Sequence, residues 1–220
     1  MTTPFTSTPT FCGRSCEDYL AMVAAFHGHP APGLVLGGLM VDLAYRHLPA
    51  PGLFDAVCET RHCLPDAVQL LTPCTVGNGW LQVIDLGRFA LALYDKQTGR
   101  GVRVAVDHSR LGDRPAIRAF LFKTVPKREQ DSAALQAEIL SAGSSILSAR
   151  EVLVEVARLR SGRHRAFALC PVCGEGYPAA DGEVCRGCRG EAPYLSLTPS
   201  GSAEAEAPVA EQGQTLEAGG

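Results

Sequence analysis

The chain has 220 residues, 46% hydrophobic and 20% charged, which suits one medium domain plus a small second unit and excludes global disorder. A net charge of −3 and a pI of about 6.1 argue against non-specific nucleic-acid binding as its main role. The longest apolar stretch, Gly33 to Val41, is far short of a membrane span, and the first residues carry neither a basic nor an apolar signal region, so a cytoplasmic protein without a membrane segment is expected.

The Thr- and Pro-rich residues 1–14 read as a loose N-terminus. Ser15 followed by Asp18 marks a helix start, with Tyr19, Met22, Val23 and Phe26 at helical spacing. The run Phe26-His27-Gly28-His29-Pro30-Ala31-Pro32-Gly33 breaks that helix, and Pro32 is placed to open a second one reaching about His47, with Leu36, Leu39 and Leu43 inward. A third helix is expected over Leu53 to Glu59, with Cys58 as core packing, and a fourth over Pro65 to Leu71. Beyond Cys74 the period becomes that of strands, over Trp80–Leu86, Arg88–Tyr94, Gly101–Asp107 and Ala119–Lys123. A polar helix over about 129–140 follows. Alternation of Val152, Val154 and Val156, a turn at Ser161-Gly162 and apolar residues up to Leu169 predict a hairpin leading into Cys170. These signals divide the chain into a core over 15–145, a hairpin and cysteine module over 146–195, and a disordered acidic tail over 196–220. Removing the four carboxylates of that tail, Glu204, Glu206, Glu211 and Glu217, leaves the remainder at +1.

Nine cysteines in a reducing compartment call for metal ligation or catalysis rather than disulfides. Cys170-Pro-Val-Cys173 and Cys185-Arg-Gly-Cys188 are two Cys-x-x-Cys knuckles that present four thiolates to one tetrahedral ion. Four thiolates leave no open position, so the expected ion is a structural Zn²⁺ in a zinc ribbon, with a rubredoxin-like iron as the lesser alternative. The module carries Arg186 and Arg189 against Glu175, Asp181, Glu183 and Glu191, a poor balance for phosphate contacts, so protein docking is expected of it. The one basic run, Arg158, Arg160, Arg163 and Arg165, precedes it. Elsewhere, His27 and His29 stand before a helix N-terminus, where a metal or an anion can be held. Cys63 and Cys74 bracket a short helix carrying Asp66 and Gln69 three apart, and His62 is a further imidazole beside Cys63. Gly77-Asn78-Gly79 also reads simply as a turn into the first strand. Cys12 and Cys16 are four apart, a spacing that chance explains.

His27-Gly28-His29-x-x-Pro32-Gly33-Leu34-x-Leu36-Gly37, then Cys63-x-x-Asp66-Ala67-x-Gln69-x-x-Thr72-x-Cys74-Thr75-x-Gly77, then the Cys-x-x-Cys pairs, resemble the FmdE family, which comprises the FmdE component of formylmethanofuran dehydrogenase and its bacterial relatives. The resemblance covers about residues 15 to 195. It implies an α+β fold with a mixed or antiparallel sheet packed against helices, a homodimer, and a zinc-ribbon appendage. It also implies a second metal, Zn, Ni or Fe, in the core, held by His27, His29, Cys63 and Cys74, with His29, Cys63 and Asp66 as catalytic residues. Two positions depart from the family pattern: Ala31 stands where a cysteine is usual, and Gly77-Asn78-Gly79-Trp80 replaces a Gly-Lys-Gly-Asn segment, so a thiol and a cation are missing. Two functions compete. One is a metal-dependent oxidoreductase component of a C1, molybdenum- or tungsten-linked redox system, working with a redox-enzyme partner. The other is a non-catalytic zinc-ribbon adaptor that docks a protein partner. A nucleic-acid-binding ribbon ranks third.

Overall fold

A computed structural model of the chain describes residues 9–48, 52–160 and 166–194. The expected acidic tail, the first eight residues and Arg163, His164 and Arg165 lie outside the described residues. The chain divides into two compact units at Leu159/Arg160.

In the first unit, α1 (Cys16–His27) starts where Ser15 predicts: its hydroxyl accepts the Asp18 N–H at 3.0 Å, satisfying a donor that has no carbonyl in the first turn. Gly28, at φ 86, ends it in the left-handed conformation that glycine adopts without steric penalty. Helix α2 (Pro32–His47) opens on proline and is buried from Gly33 to Ala44, so it is the hub of the fold. Its one buried acid, Asp42, accepts the Cys12 N–H at 2.9 Å and pairs with Arg46 at 3.0 Å. Cys12 sits in the turn before α1, so it does not form a helical pair with Cys16.

Strand β1 (Phe54–Cys58) occupies the segment where a third helix was expected. Phe54, Ala56 and Cys58 alternate with Asp55, Val57 and Glu59, and the alternation is hard to see because both acids are buried in ion pairs. Next come α3 (Leu64–Leu71) and β2 (Leu81–Val83), and β2 lies parallel to β1 with Val57 opposite Gln82. A parallel pair needs a crossover, and α3 supplies it. Strands β3 (Ala90–Asp95), β4 (Arg100–Val106) and β5 (Leu147–Leu153) add antiparallel partners, giving a mixed sheet of order β2-β1-β3-β4-β5. Between β4 and β5 lie α4 (Pro115–Phe122) and α5 (Ser132–Ala142), the latter capped by Asp131. The strand expected over 119–123 is thus the second half of α4: Ala119-Phe-Leu-Phe122 is an apolar run whose period alone cannot separate helix from strand, and Pro115 at the first helical position decides it. Val156 opens α6 (Val156–Arg160) instead of continuing β5.

One sheet face, with Ala56, Leu93 and Val102 in register, is buried with α2 in the core. The opposite face is closed by ions. Glu59 accepts from Arg103 at 2.7 and 2.8 Å and pairs with Arg88 at 2.8 Å, while Asp55 pairs with Lys96 at 3.1 Å. The Lys96 ammonium also lies 3.3 Å from the centre of the Trp80 ring.

The second unit contains β6 (Phe167–Leu169) antiparallel to β7 (Gly176–Pro178). The hairpin leading into Cys170 is therefore formed by β6 and β7 and not by the valines of β5. Among the described residues no helix is long and apolar enough to cross a membrane.

Candidate metal centre

Cys170 and Cys173 sit on the turn joining β6 to β7, where Gly174 N–H donates to the Cys170 carbonyl at 2.8 Å. Cys185 and Cys188 enter a helical turn over Gly187–Glu191, so the second pair rides on a helix start and not on a second β-knuckle. The four sulfurs lie within 4.8 Å of one another, and Cys173 Sγ is 3.8 Å from Cys185 Sγ. A tetrahedron with Zn–S bonds of about 2.3 Å has edges of about 3.8 Å, so the donor set fits zinc. The thiols' acidities agree. Backbone N–H groups of Cys173 and Cys185 hold the Cys170 thiol down at about 6, while the sulfurs of Cys185 and Cys173 push Cys188 up to about 12. Four crowded thiols ionise together only with a cation among them. Arg186 and Arg189 both bond Glu191, and Tyr177 Oη donates to the Gly182 carbonyl at 2.7 Å, which brace the finger outside its sulfurs.

The core candidates gather where three helix ends meet. His27 closes α1, Gly33 opens α2, and Asp66 lies in the first turn of α3. His27 Nδ1 is 2.9 Å from Asp66 Oδ2, across 39 residues of sequence, and the His27 and His29 rings are 5.0 Å apart. A carboxylate only accepts, so the bonded Nδ1 carries its hydrogen and, in the neutral ring, Nε2 keeps its lone pair for a ligand. Cys63 immediately precedes α3 with φ 53 and ψ −43, and the Leu64 N–H donates to the His62 carbonyl at 2.5 Å. That is the rare positive-φ γ-turn, a strained conformation for a side-chain-bearing residue and one that clusters at functional sites. Burial pushes the Cys63 thiol up; Lys127 is near enough to oppose this and Asp66 near enough to add to it. The cation missing after Cys74 thus has a counterpart at Lys127, which no local motif announces.

Other expected site residues are placed differently. Cys74 is buried and its Sγ lies 3.6 Å from the Phe54 carbonyl, with burial raising its thiol to about 11. Ala31, where the family pattern has cysteine, is the buried residue before α2. Asn78 is consumed by its own turn, accepting from Thr75 and Trp80 N–H and donating to the Pro73 carbonyl at 2.8 Å, so Gly77-Asn78-Gly79 is a turn into β2. Gln69 accepts the Val76 N–H at 3.2 Å and His62 is exposed. Among the described residues, the finger cysteines are the one set of three or more His, Cys, Asp or Glu donors brought together for an ion.

A helix-wrapped mixed sheet followed by a four-thiol finger defines an α+β protein with a zinc-finger appendage. The family described as "FmdE, Molybdenum formylmethanofuran dehydrogenase operon" matches residues 26–155, and the "FmdE treble clef zinc finger" matches residues 161–195. The chain belongs to the FmdE family. A solved structure of an FmdE-like protein of the tungsten formylmethanofuran dehydrogenase type, from Syntrophus aciditrophicus, is 49% identical, with a TM-score of 0.78 over 86% of this chain and 100% of that one. A "Probable S-adenosyl-L-methionine-binding protein" of Archaeoglobus fulgidus is 37% identical over 93 residues, which are 37% of this chain and 25% of that protein. The chain therefore spans about a quarter of the length of that relative.

Proposed function

We propose that this protein is a metal-dependent accessory component of a formylmethanofuran-dehydrogenase-type redox system, with a structural zinc in the finger and a second metal site in the core. The observation that carries the core site is the His27–Asp66 hydrogen bond of 2.9 Å beside the strained Cys63 turn. A carboxylate fixes one imidazole nitrogen so that the other presents a lone pair, the arrangement that orients histidine ligands at metals. His27, His29 and Cys63 are the proposed ligands, Asp66 is the orienting residue, and Cys74 stays outside the set because its thiol is directed at the Phe54 carbonyl. Imidazole and thiolate suit Zn, Ni or Fe, and three protein ligands leave one position open for a small molecule. A homodimer and a cytoplasmic redox-enzyme partner belong to the same proposal.

The adaptor function is favoured by one observation: the finger alone brings a full donor set together among the described residues. Cobalt titration separates the two. In the core reading, Asp66→Asn weakens binding of a second Co²⁺ about 10- to 100-fold while the thiolate-to-cobalt absorption of the finger is unchanged. Saturation at one Co²⁺ in both proteins would favour the adaptor.

A further inference from the structure

The mouth of the core site is shaped by a residue distant in sequence. A Cβ added at Gly33 would lie 2.8 Å from Cys63 Sγ and 3.3 Å from Phe120 Cζ, so the sulfur and the ring tip converge on the same α-carbon. Phe120 is half-buried and makes an edge-to-face contact with Phe89, their centroids 6.3 Å apart at 76°. Its helix, α4, has eight residues and no side-chain cap of its own. It is held instead by Glu138 of α5, whose carboxylate accepts the Ile117 N–H at 3.0 Å and the Ala116 N–H at 3.4 Å, and by buried Ile117. Phe122, two residues on, is exposed.

We propose that Phe120 is the specificity-determining residue of the core site: its ring, braced by Phe89, restricts the molecules that reach the Cys63 sulfur to small ones. The proposal rests on the core reading only in taking Cys63 as the thiol of that site. A hydrated ion or a ligand of a few heavy atoms passes the ring edge, and a bulkier one requires α4 to shift.

The test is peptide-resolved alkylation of the full-length protein with a small reagent, iodoacetamide, and a bulky one, N-phenylmaleimide. The readout is the ratio of bulky to small reaction rates at Cys63, because metal occupancy and thiol ionisation affect both reagents alike and cancel. Phe120→Ala should raise that ratio about tenfold, as expected when a locally closed segment is opened, and Phe122→Ala should leave it unchanged. If truncation loosens the fold, Phe120→Leu keeps most of the apolar volume and should still raise the ratio at Cys63 alone. An unchanged ratio in both Phe120 variants overturns the proposal, as does an equal rise at buried Cys58. A gated thiol in a protein that binds a single cobalt would sink the metal reading and leave the gate standing.

Discussion

Gly38→Ala tests the packing that brings the three helix ends together. A Cβ at Gly38 would lie 2.6 Å from Tyr19 Cε1 and 2.7 Å from both Tyr19 Cζ and Phe11 Cδ1. Neither ring is free to retreat: they are fully buried and stacked at 4.4 Å, and Tyr19 Oη donates to the Leu34 carbonyl at 2.8 Å. Alanine in a helix interior gains about 1 kcal/mol over glycine. Against this stand overpacking of about 1–3 kcal/mol and a displaced buried hydrogen bond of about 1 kcal/mol. The net expectation is a loss of about 1–3 kcal/mol. Urea unfolding should show a midpoint lowered by about 1 M at unchanged slope. Gly77→Ala is the control, since the nearest atom to its Cβ is Thr75 Oγ1 at 4.0 Å, and it should stay within about 0.5 kcal/mol of wild type. A midpoint for Gly38→Ala at or above wild type would refute the close-approach account of α1 on α2.

Glu138→Ala removes the carboxylate that caps α4 from outside and should lower stability by about 1 kcal/mol, checked by thermal melting; an unchanged midpoint would mean that water serves those N–H groups equally well. Glu59 is held below its ordinary value of 4.5, first by its hydrogen bond from Arg103 and then by the charges of Arg103 and Arg88. A depressed carboxylate pKa stabilises the fold above the unfolded value and ceases to do so as pH falls through the folded one. The stability advantage of wild type over Glu59→Gln should therefore be full above pH 4.5 and shrink below it, and a gap constant with pH would contradict this.

What was legible in the sequence follows from the range of the forces involved. Ser15, Pro32 and Pro65 act on their own turns, so α1, α2 and α3 could be placed from local signals, as could the finger, whose four ligands come as two tight pairs. Strand β1 was hidden because Asp55 and Glu59 read as exposed helix residues until Lys96 and Arg103 arrive from β3 and β4 to neutralise them. Helix α4 was misread because its cap lies on another helix, at Glu138, which leaves only an apolar run in the local sequence. The site was half visible. His27 and Asp66 could each be named, but their pairing depends on α2 holding α1 and α3 together, where Gly37 lets Ala67 and Leu64 approach closely. Phe120 and Lys127 carry no motif at all and reach Cys63 only through the tertiary fold.

The most direct test of the central claim is metal content per chain by elemental analysis, in wild type and in a Cys185→Ser/Cys188→Ser variant that removes two finger ligands. The core site predicts about two ions in wild type and about one retained in the variant, lost again on adding Cys63→Ser. About one zinc in wild type and none in the variant would contradict it and leave the finger as the protein's sole metal centre.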